Sequence, residues 1–236
     1  MLGMGSGVSM PPSSEIFYDL GSHSDLQFYF KNNVGLAGVD EWEDQAKSEG
    51  MSNNLTQETV DNQGEKIEGG IRFNGSDTYY DLDSQVAIGN EVPYTLFVVM
   101  EMSSFDSENA ILGRTNAVNQ FVSVKSAQSI HIQQTGTATI LNDSTRPFAT
   151  DSRIVLCITK SISRLYKVWV NGDLITFDTT TNNPGLTGDF SCATVGALQE
   201  GGSSFDGTIY ELGLYTRELS VGEIDSVNSY LINKLL

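Results

Sequence analysis

Cysteine, histidine and positive charge are all scarce in this chain, and each shortage bears on what it can do. Two cysteines, Cys157 and Cys192, and two histidines, His23 and His131, are too few and too scattered for a structural zinc site. The cysteines fall in apparent strands, where the residue behaves as a small buried hydrophobe; a disulfide between them stays open, and the fold must be held by its core. Thirteen Lys and Arg stand against thirty Asp and Glu, a formal charge of −17 that repels phosphate backbones and anionic bilayers. This argues against nucleic acid as a partner and against membrane insertion. No apolar run is long enough to cross a bilayer, and no secretion signal opens the chain.

What is present is glycine, 23 residues of it, with many Ser, Thr and Asn punctuating short apolar runs. That is the composition of a turn-rich β protein, and no linker divides the middle, so one domain is expected. Residues 1–14, rich in Gly, Ser and Pro, read as a flexible or docking N-terminal arm, and residues 15–236 as the folded domain. The clearest local signal is Asn171-Gly172, a pair suited to a type I′ turn because both central positions need positive φ. The resulting register pairs Val170 with Asp173, Trp169 with Leu174, Val168 with Ile175, Lys167 with Thr176 and Tyr166 with Phe177. Tyr166, Val168, Ile175 and Phe177 then share a buried face, leaving Trp169 and Leu174 on an outer face with Lys167, Thr176 and Asp178. Two stacked sheets are the consequence.

Along the chain, alternation predicts a strand over 25–31 with one buried face, then a long polar stretch, 32–70, of loops and one short helical turn in which Trp42 is a core anchor. Residues 70–82 read as a strand, a glycine-containing turn at 74–76 and a second strand, and further strands are predicted over 94–102, 110–113, 120–125, 129–134, 137–141, 153–160, 191–197 and 205–215, with 94–102 and 153–160 central. Ser220 and Glu223 form a capping box flanked by Leu219 and Ile224 as a hydrophobic staple. A helix therefore starts at Ser220, its stripe of Val221, Ile224, Val227, Leu231 and Leu235 packed on the edge or end of the sandwich.

Four pieces resemble, together and in order, the laminin-G-like branch of the concanavalin A-like lectin/glucanase superfamily. They are residues 42–45, residues 70–77 with 80–82, the hairpin at 168–172, and residues 205–212 followed by Tyr215 and the helix start. The resemblance implies an all-β jelly-roll sandwich of two antiparallel sheets with a C-terminal α-helix. Residues 1–5 also resemble the opening of tailed-bacteriophage virion proteins. On that resemblance the expected role is a non-catalytic virion component, made in a host cytoplasm, assembling with other virion proteins and with itself, and binding host surface glycans if any ligand. A dedicated carbohydrate-binding adhesin or lectin is the alternative, and a glycoside hydrolase the third reading.

The superfamily's glucanases carry a Glu-x-Asp-x-x-Glu arrangement. Glu41, Glu43 and Asp44 stand in the wrong order, and Glu223 with Asp225 lies on the helix, so no catalytic residue is assigned. Lectin and laminin-G-like domains also hold Ca²⁺ at loop rims, which implies Asp77, Asp81, Asp83, Asp106 and Asp206 as possible ligands, with calcium the one cofactor to consider. For a glycan or partner contact, Trp169, Tyr79, Tyr80 and Tyr210 are the flat surfaces expected. The Asn-x-Ser/Thr triplets at Asn54, Asn74 and Asn142 are read as unmodified.

Overall fold

The computed structural model describes residues 24–46, 53–105, 108–114, 117–135, 137–185, 187–199 and 202–235. The proposed arm over 1–14, His23 and Asp106 lie outside them. The first half of the chain supplies β1 (Leu26–Phe30), β2 (Glu41–Trp42), β3 (Leu55–Thr56), β4 (Glu65–Ile67), β5 (Gly70–Asn74), β6 (Tyr80–Ile88), β7 (Tyr94–Met102) and β8 (Asn109–Arg114). There follow β9 (Ala117–Ser126), β10 (Ser129–Gln134), β11 (Thr137–Asn142), β12 (Arg153–Lys160), β13 (Tyr166–Val170), β14 (Asp173–Leu174) and β15 (Thr179–Thr181). Last come β16 (Phe190–Val195), β17 (Ala197–Gln199), β18 (Gly202–Ser204), β19 (Asp206–Tyr215) and the helix α1 (Val221–Leu235).

The strands form the antiparallel two-sheet sandwich that the alternation required. The first sheet runs β14-β13-β12-β7-β19-β5-β4, with β1 also paired to β19; the second runs β15-β11-β10-β9-β8-β16-β6-β3-β2. Strand β5 and strand β6, consecutive in sequence, belong to different sheets, so the turn at Asn74 to Thr78 crosses the sandwich rather than closing a hairpin. Strand β7 is central and apolar on both faces. Leu96, Val98 and Met100 enter the core between the sheets, while Phe97 and Val99 point outward into a second cluster.

That second cluster exists because α1 lies over the outer face of the first sheet, not on an edge or end. Ile224, Val227 and Leu231 pack on Phe97, Val99, Val155, Cys157 and Trp169. A helix seated on an edge would leave those outward residues in water, so the flat apolar face takes it. Val221, assigned to the stripe by spacing, is 60% exposed. The cap forms as expected: Ser220 N–H donates to Glu223 Oε2 at 2.8 Å, and Leu219 and Ile224 are both buried.

The hairpin tip is also as expected, with Asn171 and Gly172 at φ of 52° and 90° and Trp169 opposite Leu174. Its ladder is shorter than expected. Strand β14 ends at Leu174, Ile175 N–H still donates to Val168 O at 2.8 Å, and beyond that Asn183 takes the place of a strand, its Oδ1 accepting from Tyr166 N–H at 2.8 Å. Tyr166 and Val168 are buried, with Ile175 and Phe177 partly buried against the same core. Two further expectations need correction. Strand β1 buries Tyr29 as well as Leu26, Phe28 and Phe30, because β19 and α1 cover its outer side. Among its described residues the polar stretch 32–70 contributes β2, β3 and β4, too short to show a period, besides a 3₁₀ turn at Val60–Asn62. Trp42 is the core anchor expected, its Nε1 donating to Val34 O at 3.1 Å.

Cys157 faces α1 and Cys192 faces the intersheet core, so both are free thiols on opposite sides of the first sheet. Burial pushes each up to about 12, and neither is a nucleophile at neutral pH.

The cap gives two measurable expectations. Ser220→Ala removes an N-cap oxygen and costs about 1 kcal/mol, a Tm fall of about 2–4 °C for a chain of this size. Glu223 is held down from 4.5 to about 2, chiefly by the hydrogen bond from Arg217 and then by those from Ser220. A depressed carboxylate adds stability above its unfolded value and loses it as pH falls toward the folded one. The Tm gap between wild type and Glu223→Gln should therefore be full at neutral pH and close between 4.5 and about 2. A gap that is constant across that window would contradict the assignment.

Candidate functional site

Strand β19 has two partners on one side. Asp206 to Ile209 pair with β5, and Leu212 to Tyr215 pair with β1. Where it changes partner, its register against β7 slips between Ile209 and Glu211. A bulge there turns Tyr210 and Glu211 to the same outer face, where strict alternation would have sent one of them inward. Glycines let the joint close. A Cβ on Gly70 would stand 2.3 Å from Ile209 O, and Gly69 has φ of +89° with Asn32 Nδ2 donating to its carbonyl at 2.6 Å.

Above this joint is a cleft of about 500 Å³, within the range of small-ligand sites. Asn32 and Asn33 form one wall, and the β4–β5 turn with Ile67, Glu68 and Gly69 another. Arg153 and Tyr210 are the floor, and α1 contributes Lys234. The Arg153 guanidinium lies 3.7 Å over the Tyr210 ring, and Tyr210 OH donates to Glu101 Oε2 at 3.3 Å. Glu211, wholly buried, accepts from Lys234 Nζ at 2.7 Å, from Asn32 N–H at 3.3 Å and from the Tyr29 hydroxyl. Burial, and next the Glu211 charge, hold Tyr29 far above the ordinary phenol range, so it stays a donor. Two cations, Arg153 and Lys234, thus face three carboxylates, Glu68, Glu101 and Glu211, in and beneath the cleft. Amide and cationic donors alternate with carboxylate and carbonyl acceptors over one flat side-chain pair. Such a surface suits a ligand whose groups each donate and accept.

Of the residues singled out in the sequence, only Tyr210 lies here, and its ring face is covered by Arg153. Trp169 is 4% exposed beneath α1. Tyr80 is fully buried, its hydroxyl donating to Val39 O at 2.5 Å, and Tyr79 is 9% exposed. None of the four presents a bare ring for stacking: α1 covers Trp169, the intersheet core holds Tyr80, Arg153 lies over Tyr210, and Tyr79 is buried. The aspartates do not converge either. Asp77 Oδ1 accepts from Asn74 Nδ2 at 2.6 Å and Asp206 Oδ2 from Ser104 Oγ at 2.7 Å, at one end of the first sheet. Asp81 and Asp83 lie on β6 in the second sheet, Asp83 Oδ2 accepting from Asn54 N–H at 3.2 Å. Among the described residues no three metal-binding side chains come together, and this donor set does not fit a calcium ion with its many oxygen ligands. His131 Nδ1 is 2.7 Å from Glu108 Oε1, and Ser123 Oγ donates to that same oxygen at 2.7 Å. The serine hydroxyl is thus directed at the carboxylate, not at the imidazole that would activate it.

Comparison with known proteins agrees with this architecture. The family model of the concanavalin A-like lectin/glucanases superfamily, in its laminin G form, matches residues 74–225, more than half of the chain. The chain belongs to this superfamily. Among solved structures this laminin-G-like domain is similar to the sialidase of Trypanosoma rangeli, with a TM-score of 0.58 and 16% identity over 88% of this chain and 33% of that one. The same sialidase in complex with sialic acid gives a TM-score of 0.58 at 16% identity, with 88% and 33% covered. A single-substitution mutant of HCR/D gives a TM-score of 0.61 at 13% identity, over 89% of this chain and 52% of that one. The domain therefore spans about a third of the sialidase and about half of HCR/D, and at these identities the likeness is one of fold. No curated protein sequence matched the chain.

Arg153, Glu101, Lys234 and Asn32 carry no motif. A faint signal was nonetheless present in two strands: outward faces that read Phe97, Val99, Glu101 and Cys157, Val155, Arg153 turn from apolar to charged at the same end. That change marks where the helix stops covering the sheet.

Lys234→Met should expose how much the joint depends on charge compensation. Leaving Glu211 buried with only neutral donors costs roughly 1–3 kcal/mol, the lower part of the range because Lys234 is partly solvated. Urea unfolding would show it as a lower midpoint at unchanged slope; an unchanged midpoint would contradict the role given to the ion pair.

Proposed function

We propose that this domain is a non-catalytic carbohydrate-binding module and that the cleft over Arg153 and Tyr210 takes neutral sugar. The observation that carries the reading is the cleft itself, in which donors and acceptors interleave around a flat guanidinium–phenol pair at a β-bulge. Membership of a superfamily of lectins and glucanases agrees with it. Charge selects between sugar classes. With three carboxylates against two cations, an acidic saccharide meets net repulsion, whereas hydroxyls satisfy both signs. The sialic acid of the sialidase complex is a property of that protein and is not carried over.

The non-catalytic part of the proposal rests on the work that the acids near a glucanase-like order already do. Glu41 Oε1 accepts from Asn54 Nδ2 at 2.6 Å, Asp44 accepts backbone N–H groups from Tyr29, Ala46 and Asn53, and Glu223 caps α1. A virion role rested on the first residues, outside the described structure, and the similar structures named above are a sialidase and HCR/D. Carbohydrate binding is the better-supported reading.

A glycan array carrying neutral and sialylated sugars tests it. Retention of neutral glycans, weakened roughly tenfold or more by Arg153→Ala and also by Asn33→Gly, is expected. Asn33 has φ of 58°, so the glycine variant removes the side chain without straining the turn. Retention of sialylated glycans alone, or equal retention by both variants, would contradict the cleft assignment, and release of reducing sugar would overturn the non-catalytic reading.

A further inference from the structure

The outer face of the first sheet carries a second polar feature that continues the first. Past the residues covered by α1, the register places five side chains directly opposite one another across five strands. Arg153 faces Glu101, Glu101 faces Thr208, Thr208 faces Arg72, and Arg72 faces Glu65. Partners opposite in an antiparallel ladder share a face, so these form one row perpendicular to the strands. At its far end is another cleft, of about 490 Å³, lined by Glu65, Arg72, Asn74, Ser103 and Asp206 among others. Arg72 and Glu65 stand 3.9 Å apart there, both well exposed. Thr208, only 6% exposed, lies between the two charged ends of the row.

We infer that the two clefts are the ends of one groove and that its ligand is a linear, uncharged oligosaccharide rather than a single terminal sugar. The inference rests on the carbohydrate reading above and adds the ligand's shape. Four strand spacings span about 19 Å, the length of about three or four pyranose rings linked in line. Two arginines and two glutamates balance along the row, so no stretch of it selects a charged ligand. The row crosses the strands and presents side chains rather than an open strand edge, which suits a ribbon of hydroxyls better than an added peptide strand. Arg72 then holds the sugars farthest from Arg153.

Calorimetric titration with cello-, manno- and laminari-oligosaccharides of about one to six sugars tests the inference on the full chain, since the groove length sets where affinity should stop rising. In the series that binds, affinity should climb with each added ring to about four and then level. Arg72→Ala should weaken the longer oligomers roughly tenfold and leave the single sugar and the disaccharide unchanged, while Arg153→Ala weakens every length. Arg72 is exposed, so its replacement leaves the fold intact and circular dichroism should be unaltered. Affinity independent of length, or an Arg72→Ala loss that is the same for every length, would overturn the groove while leaving a sugar pocket at Arg153. If none of the three series binds but the array retains a branched glycan, the groove is likewise overturned and the carbohydrate reading stands; failure on the array as well removes both.

Discussion

The constraint on which the site depends is the change of partner in β19. Along one side β19 holds the end of β1 and the start of β5, and where it passes from one to the other its register against β7 slips between Ile209 and Glu211. It delivers a carboxylate into a place where water does not reach. A buried charge must be compensated, and here the compensation comes from three separate elements: Tyr29 of β1, the backbone after β1 at Asn32, and Lys234 at the last turn of α1. The negative end of the helix dipole favours the lysine there as well. The joint therefore anchors the helix and opens a cleft beside it in one arrangement.

The first sheet is a middle layer. The second sheet covers its inner face, and α1 covers the outer one around Phe97, Val99, Val155, Cys157 and Trp169. This explains why Trp169 is not bare, and why the surface left uncovered is a row of charged and hydroxyl side chains. Recognition on such a surface works through hydrogen bonds to paired groups. A ligand has to match alternating donors and acceptors, and flat stacking contributes only where Arg153 and Tyr210 already lie together.

Much of the fold was legible in the sequence, and for identifiable reasons. Strands β10 and β12 have the predicted bounds because turn residues flank an uninterrupted apolar period, and the Asn171-Gly172 reversal and the Ser220–Glu223 cap are local chemistry that no distant contact overrides. Strands β2 and β3 were not legible: two residues each carry no period, and they become strands only by pairing with one another and with β6. The helix's resting place was misjudged because a stripe shows that a face is buried but not against what, and Trp169 was misplaced as its direct consequence. The cleft was almost wholly hidden. Its residues, Asn32, Gly69, Arg153, Tyr210 and Lys234, are gathered from five distant segments, and only a slip in register brings Tyr210 and Glu211 to one side. Periodicity assumes that no such slip occurs.

The central claim is that the uncovered part of the first sheet's outer face is the binding surface. Amide chemical-shift mapping on isotopically labelled protein titrated with a linear oligosaccharide tests it most directly. The account predicts perturbations at Asn32, Gly69, Arg72, Arg153 and Tyr210, in a band across β12, β7, β19 and β5. Shifts confined to the outer face of the second sheet, around Phe121 and His131, would contradict it.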